Sequence, residues 1–390
     1  MKFWPWSKKS IKPSGFELNK ELQQVEFQSK AIRLKSLPTI LNLPIADKCN
    51  LKCIMCSISV NPNAYSIHMD DKAYGKCFEL FPYIETLTLE GAEVFTLPHG
   101  DGDLIDKIAK MSNEYNNLKL SALTNAQLIN DKRVEYILDK FSNINISIDT
   151  PNPDVYSSIR VGGKLETLIN NVNKINAAKA QAGRGRHDFP KLLFSAVVME
   201  RTFRDLPQLL RLVHELGGAY FSFQPLRKAT DDVTWDNIKQ EDIFSNKNLT
   251  HEYLEVLNEL ERVSKELGIN FGDRTKGYMA QIYPELSSKT PSSSSENKTT
   301  KHELCRFAWS SLIIEPRGSV KFACCSNVIL GNINTNSIEE IWNGEPAARE
   351  RLNFIQGNFE NCGTNCQCYF PYAGSSIGSF RPETAFSRTS

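Results

Sequence analysis

The chain has 390 residues, of which 41% are hydrophobic and 23% charged, the balance of an ordinary soluble globular protein. There are 46 lysines and arginines against 45 aspartates and glutamates, so the near-neutral charge does not favour nucleic acid or an anionic membrane as a partner. No stretch is apolar enough for a secretory signal or a membrane-spanning helix, which predicts a cytoplasmic location.

From about residue 39 onward, short apolar runs alternate with longer amphipathic stretches. The runs are rich in β-branched and aromatic residues and predict six buried strands: Ile40–Ala46, Thr86–Glu90, Leu118–Leu123, Ile144–Ile148, Leu192–Val198 and Tyr220–Gln224. Four stretches between them have helical periodicity: Leu104–Tyr115, Arg133–Lys140, Leu165–Ala180 and Leu206–Leu216. The predicted fold class is α/β, a partial (β/α)6 TIM-like barrel of parallel strands with its chemistry at their carboxyl ends.

Composition divides the chain into five predicted parts. A polar lead-in occupies residues 1–38, and the barrel occupies 39–285. A serine- and lysine-rich linker, 286–304, separates the barrel from a small cysteine-rich domain at 305–372. Such a small domain gains stability from a bound metal. Residues 373–390 are predicted to be a disordered tail.

Nine of the ten cysteines fall into two groups, which in a reducing compartment indicates metal or redox chemistry. The first group, Cys49, Cys53 and Cys56, lies in one loop after the first predicted strand. Three thiolates on an iron–sulfur cubane leave one iron open to a small molecule, whereas structural zinc normally takes four protein ligands. A zinc site or three incidental core thiols are the alternatives.

This loop resembles the signature of the radical S-adenosylmethionine superfamily, and the resemblance covers most of the chain. It implies a 4Fe–4S cluster on the three cysteines, with S-adenosylmethionine bound at the open iron. Reductive cleavage of S-adenosylmethionine would give a 5′-deoxyadenosyl radical that abstracts a hydrogen atom from the substrate. A flavodoxin or ferredoxin is the expected reductant.

The later strand ends also resemble elements of that superfamily. Gly91-Ala92-Glu93 is similar to its Gly-Gly-Glu element, although Ala92 replaces the second glycine. Thr124-Asn125-Ala126 resembles its Thr-Asn-Gly segment, and Ser147-Ile148-Asp149 resembles its Ser-x-Asp element. Met55 stands where members of the superfamily commonly have an aromatic residue near the adenine of S-adenosylmethionine. The resemblance assigns seven residues to the cofactor: Met55, Gly91, Glu93, Asn125, Ser147, Asp149 and Arg160.

The second cysteine group resembles the SPASM or shorter twitch extension of these enzymes. Two landmarks of that extension, Gly-Asn-Ile and Ile-Trp-Asn, match residues 331–333 and 341–343. Six cysteines are too few for two fully ligated clusters, so we expect one auxiliary 4Fe–4S cluster. A second cluster with an open iron is the alternative. The expected ligands are Cys305, Cys324, Cys362 and one of Cys366 and Cys368. Cys325 competes with Cys324, and zinc on the same thiolates is the alternative.

Resemblance to the enzymes that carry this extension implies that the protein is a maturase, which modifies a peptide or protein. Its rival is dehydrogenation or epimerisation of a sugar-like or aminocyclitol-like small molecule. Asp149 is the predicted catalytic residue, and Glu90 is a second candidate for the base. A non-catalytic metal-binding scaffold is the alternative from another class.

Overall fold

The computed structural model describes residues 15–60, 66–97, 104–226, 232–283, 304–323 and 325–362. Within these ranges the strands are β1 Ile40–Ala46, β2 Lys52–Cys53, β3 Thr86–Gly91, β4 Lys119–Thr124, β5 Phe141–Ser147, β6 Arg160–Val161, β7 Lys191–Val198, β8 Tyr220–Pro225, β9 Phe271–Asp273, β10 Ser311–Ile314, β11 Ser319–Lys321 and β12 Gly331–Asn332.

The helices of the first half are α1 Phe16–Gln28, α2 Ser57–Val60, α3 Asp71–Phe78, α4 Leu104–Ser112, α5 Asp131–Lys140, α6 Pro153–Ile159 and α7 Leu165–Gln181. Those that follow are α8 Leu206–Glu215, α9 Asp232–Ile238, α10 Lys247–Leu267, α11 Lys276–Ile282, α12 Phe307–Ser310, α13 Ile338–Asn343 and α14 Glu345–Ile355. None of these helices is both long and apolar enough to span a membrane.

The large sheet has the strand order β12-β11-β10-β1-β3-β4-β5-β7-β8-β9. Neighbouring strands from β10 to β9 are parallel, and β11 and β12 continue antiparallel. The six predicted strands are β1, β3, β4, β5, β7 and β8, with ends within three residues of the prediction. The predicted α/β fold of parallel strands is therefore confirmed.

Helices cover the outer face of the sheet because this face and the helix surfaces that contact it are apolar. Leu87 and Leu89 of β3 share one core with Ile105 and Ile108 of α4. The longest described helix, α10, was not predicted from the sequence. Its start is marked by Asn246, which accepts the backbone N–H groups of residues 248 and 249 (3.0 and 3.4 Å).

The cysteine-rich region extends the barrel sheet. Strand β10 pairs in parallel with β1, with Ile40 opposite Ser311, so the two regions share backbone hydrogen bonds. Of the predicted linker, 286–304, only residue 304 is among the described residues. The predicted tail, 373–390, lies outside them.

The lead-in packs against the C-terminal region. The indole N–H of Trp309 donates to the carbonyl of Ala31, and that of Trp342 donates to the carbonyl of Ser36 (both 2.8 Å). The two ends of the described chain therefore share one interface.

Arg351 of α14 lies fully buried in this interface. Its guanidinium donates to the carbonyl oxygens of Ala308 (2.8 Å), Ile32 (3.1 Å) and Trp342 (2.8 Å). It also lies 4.5 Å from the ring centroid of Trp342, a cation–π contact. One side chain thus connects the lead-in, α12 and α13.

Replacing Arg351 with methionine should lower the free energy of unfolding by about 2–4 kcal/mol, because three buried carbonyls lose their donor. The measurement is the urea midpoint of unfolding. Arg349→Met on the same helix is the matched control, since the Arg349 side chain is 70% exposed. Equal midpoints for R351M and R349M would contradict this role of Arg351.

Candidate functional site

The first cysteine group lies in the loop after β1. Cys53 is buried, Cys49 and Cys56 are half-buried, and all three are free thiols. The backbone N–H of Cys56 donates to the carbonyl of Cys53 (3.1 Å), which curls the loop tightly. Strand β2 pairs with β6, so Cys53 stands opposite Arg160. The loop is therefore held by backbone contacts, and none of its three sulfurs is in a disulfide.

Burial raises the pKa of two of these thiols. For Cys49 the N–H of Leu51, 3.4 Å from the sulfur, opposes the effect. The pKa of Cys53 rises to about 11, and the charge of Arg160 is the largest influence that opposes burial. A metal ligand must be a thiolate, so binding a cluster here releases protons.

Gly91 allows two strands to approach closely beside this loop. It lies opposite Ala46 at a register shift, with φ of +134°. A Cβ atom at this position would come within 2.1 Å of the Ala46 carbonyl oxygen. Only glycine fits this backbone, so the predicted site residue Gly91 has a steric role that the side-chain pattern did not reveal.

Glu93 links the ends of β3 and β4. It is 2% exposed, and its carboxylate accepts the Thr124 hydroxyl and the Asn125 N–H, both at 2.7 Å. Burial raises the pKa of Glu93, and these two hydrogen bonds oppose the rise. Contact between Glu93 and the cofactor stays a prediction.

Asn125 connects this linkage to the cysteine loop. Its side-chain N–H donates to the Asn50 side-chain oxygen (2.9 Å) and lies 3.8 Å from the Cys49 sulfur. Sequence analysis did not identify Asn50, whose position inside the cysteine motif is the only signal for it. The amide group of Asn125 therefore borders the sulfur of Cys49 and is itself held by Asn50.

Asp149 and Arg160 form a buried ion pair beside Cys53. The Arg160 Nε–H donates to one Asp149 oxygen (2.8 Å), and the Val197 backbone N–H donates to the other (2.9 Å). Burial lowers the pKa of Arg160, but the charges of Asp149 and then Cys53 raise it above the ordinary arginine value. The guanidinium also lies 4.0 Å from the Cys53 sulfur. Both oxygens of the predicted catalytic residue thus have fixed partners.

A small apolar cluster stands next to the cysteine loop. Its buried members are Ile159, Met199, Leu226 and Ile238, and Ile54, Met55, Val155, Val197 and Trp235 pack against them. Met55 therefore has apolar neighbours, as an adenine site requires. Trp235 was not identified from the sequence, because it follows a polar stretch without a strand pattern.

The inner face of the sheet, which points away from the helices, carries many polar side chains beside a few apolar ones such as Leu193 and Val197. Residues that share this face across strand registers are Asn42, Thr88, Ser121, Asn143, Ser147, Ser195 and Ser222. Leu123 on the same face is 41% exposed. A packed barrel interior would be filled with apolar side chains, so this face predicts a chamber for a polar ligand.

Glu90 is a carboxylate on this inner face, alternating with Leu89 of the core. It accepts a hydrogen bond from the Asn42 side-chain amide, and no ion pair in the described part of the chain includes it. Burial raises the pKa of Glu90 to about 7, and the Asn42 hydrogen bond partly opposes this. Glu90 therefore titrates near neutral pH.

Three cysteines of the second group are described. Cys305 lies in the apolar core, and Cys362 packs against that core. An isolated antiparallel bridge places Ser326, the neighbour of Cys325, opposite Cys362. The other predicted ligands, Cys324, Cys366 and Cys368, lie outside the described residues, and the choice among them stays a prediction.

The donor set of the first group fits an iron–sulfur cluster. One loop supplies three thiols, Gly91 lets β3 lie against the Ala46 carbonyl at the end of β1, and the side-chain amide of Asn125 borders one sulfur. Within the described ranges, no three His, Cys, Asp or Glu side chains are grouped to hold a single metal ion. Cys49, Cys53 and Cys56 would hold the cluster.

Two family models match the chain. One is described as the Radical SAM superfamily and covers residues 43–190, and the other, SPASM, is described as an iron–sulfur cluster-binding domain and covers 305–369. Together they match more than half of the chain. These domains imply 4Fe–4S clusters and S-adenosylmethionine as cofactors, as predicted.

Curated relatives match parts of the chain at low identity. GTP 3′,8-cyclase of Clostridium botulinum (strain Okra / Type B1) is 25% identical over 138 residues, 34% of this chain and 42% of that protein. The antilisterial bacteriocin subtilosin biosynthesis protein AlbA of Bacillus subtilis (strain 168) is 23% identical over 314 residues, 79% of this chain and 60% of that protein. The chain thus spans between 42% and 60% of the length of these relatives.

The fold is shared with a solved structure. Streptococcus suis SuiB bound to its precursor peptide SuiA aligns with a TM-score of 0.57 at 17% identity, covering 92% of this chain and 76% of SuiB. The family models and the shared fold agree with the cysteine loop and the strand ends described above. The chain therefore belongs to the radical SAM superfamily of enzymes and carries a C-terminal SPASM domain.

Proposed function

We propose that this enzyme modifies a peptide or protein, as a maturase does. The observation that carries the proposal is the row of polar side chains on the inner face of the sheet that leads into the three-cysteine loop, on a chain with a SPASM domain. The structure of SuiB with SuiA and the role of AlbA in bacteriocin biosynthesis support a peptide substrate. Bound cluster and S-adenosylmethionine would supply the radical that removes a hydrogen atom from the substrate.

The residues of this chain would hold and orient the cofactors. Cys49, Cys53 and Cys56 would ligate the cluster, and the apolar surface around Met55 would receive the adenine. Gly91, which lies against the Ala46 carbonyl, would offer its backbone to S-adenosylmethionine, and Ser147 would face its ribose at the end of β5. Asn125 would fix the loop around Cys49.

Of the two candidate bases, the contacts favour Glu90 over Asp149. Both Asp149 oxygens accept hydrogen bonds, one of them from a buried guanidinium. Glu90 has one partner, Asn42, and lies on the inner face where a substrate would bind. Glu90 would therefore accept the substrate proton, and Asp149 would hold Arg160 in place.

The rate should rise with pH through about 7, because a protonated Glu90 does not accept a proton. Glu90→Gln should lose this dependence and reduce kcat/KM by about 10²–10⁴-fold, the usual contribution of a general base. The measurement is the pH profile of kcat/KM with the unmodified peptide as substrate. Glu79→Gln, at an exposed position, is the control. A profile in E90Q that matches the wild type would exclude Glu90 as the base.

The function itself is tested with peptides encoded beside the gene. The reconstituted enzyme, dithionite and S-adenosylmethionine are incubated with each peptide carrying deuterium on its side chains and α-carbons. A peptide substrate is established by a mass change in the peptide together with deuterium in the 5′-deoxyadenosine. If 5′-deoxyadenosine forms without either change, and a sugar or aminocyclitol is altered instead, the maturase proposal is wrong.

A further inference from the structure

Arg160 faces the cysteine loop from the opposite strand. Its backbone pairs with Cys53 in the short β2–β6 ladder, and the N–H of Ile54 donates to the carbonyl of Ile159 (3.0 Å). This register brings the guanidinium Nη1 to 4.0 Å from the Cys53 sulfur. A positive charge therefore stands beside one of the three predicted cluster ligands.

The guanidinium is fixed in this position. Arg160 is 7% exposed and Asp149 is 1% exposed, so both charges are shielded from water. Nε binds Asp149 at 2.8 Å, while the Val197 N–H holds the second Asp149 oxygen. The Nη1 nitrogen remains directed at Cys53. Moving either partner would leave an uncompensated buried charge, so the pair is rigid.

We propose that Arg160 raises the reduction potential of the cluster held by Cys49, Cys53 and Cys56, and that Asp149 is its positioning residue. The proposal rests on the proposed function, because it requires that cluster. Reduction adds one negative charge to the cluster, and a fixed cation beside a ligating sulfur stabilises the added charge. Net charge and hydrogen bonds to the sulfurs are known determinants of such potentials.

This role differs from the one that the superfamily resemblance implies, in which Arg160 binds S-adenosylmethionine. A residue that acts only on the cofactor would leave the potential unchanged when the cofactor is absent. A residue that acts on the cluster changes the potential under that condition. The two roles are therefore separated by a titration without S-adenosylmethionine.

The experiment is an anaerobic redox titration of the full chain, followed by EPR without S-adenosylmethionine. The signal of this cluster is the one lost in the Cys49→Ala/Cys53→Ala/Cys56→Ala variant. Arg160→Gln should lower the ratio of reduced to oxidised cluster about tenfold at a fixed potential, a shift of about 59 mV for one electron. Arg160→Lys keeps the charge and should change the ratio less than threefold.

Asp149→Asn gives the opposite sign, because an amide oxygen can still accept the Arg160 Nε–H and hold the guanidinium while one negative charge is removed, so the ratio of reduced to oxidised cluster should rise. Arg201→Gln is the control, since Arg201 pairs with Glu241 and has no contact with the described cysteines. An unchanged potential in R160Q and D149N with normal iron content would overturn the proposal. If R160Q binds no iron, the D149N variant decides: a higher ratio of reduced to oxidised cluster supports the proposal, and an unchanged ratio overturns it. If the triple cysteine variant loses no signal, the proposed function fails instead.

Discussion

The site depends on the buried ion pair between Asp149 and Arg160. Asp149 follows β5, receives the N–H of Val197 from β7, and holds the arginine that pairs with Cys53 across β2 and β6. Buried charges are costly unless paired and hydrogen-bonded, so this arrangement has little freedom to change. It fixes the position of the cysteine loop relative to the strand ends, which is what a radical reaction at one substrate atom requires.

A second constraint joins the ends of the chain. Strand β10 adds to the barrel sheet beside β1, and the indole of Trp309 binds the lead-in. The SPASM domain is thus continuous with the sheet, and its strand β10 pairs with β1, the strand that leads into the cysteine loop. Two iron–sulfur sites on one hydrogen-bonded framework would keep a constant separation, which suits electron transfer between a substrate and an auxiliary cluster.

Sequence pattern predicted the main fold because its signals are local. Apolar β-branched runs identified strands such as Leu192–Val198, and the three-cysteine spacing identified the superfamily that the family models confirm. Strand β9 was missed because three residues give no periodic signal. The partners of Asp149 lie 11 and 48 residues away, so only the fold reveals that its oxygens are occupied. The pairing of Glu90 with Asn42 likewise depends on strand register.

The central claim is that Cys49, Cys53 and Cys56 hold a cluster with one open iron. The most direct measurement is iron content with the reduced EPR spectrum, with and without S-adenosylmethionine, in the wild type and the triple alanine variant. We expect about eight irons falling to about four, and a signal that shifts on adding S-adenosylmethionine and is absent from the variant. Cys77→Ala, outside both groups, should keep the full iron content. Zinc in place of iron, or a spectrum that does not respond to S-adenosylmethionine, would contradict the account.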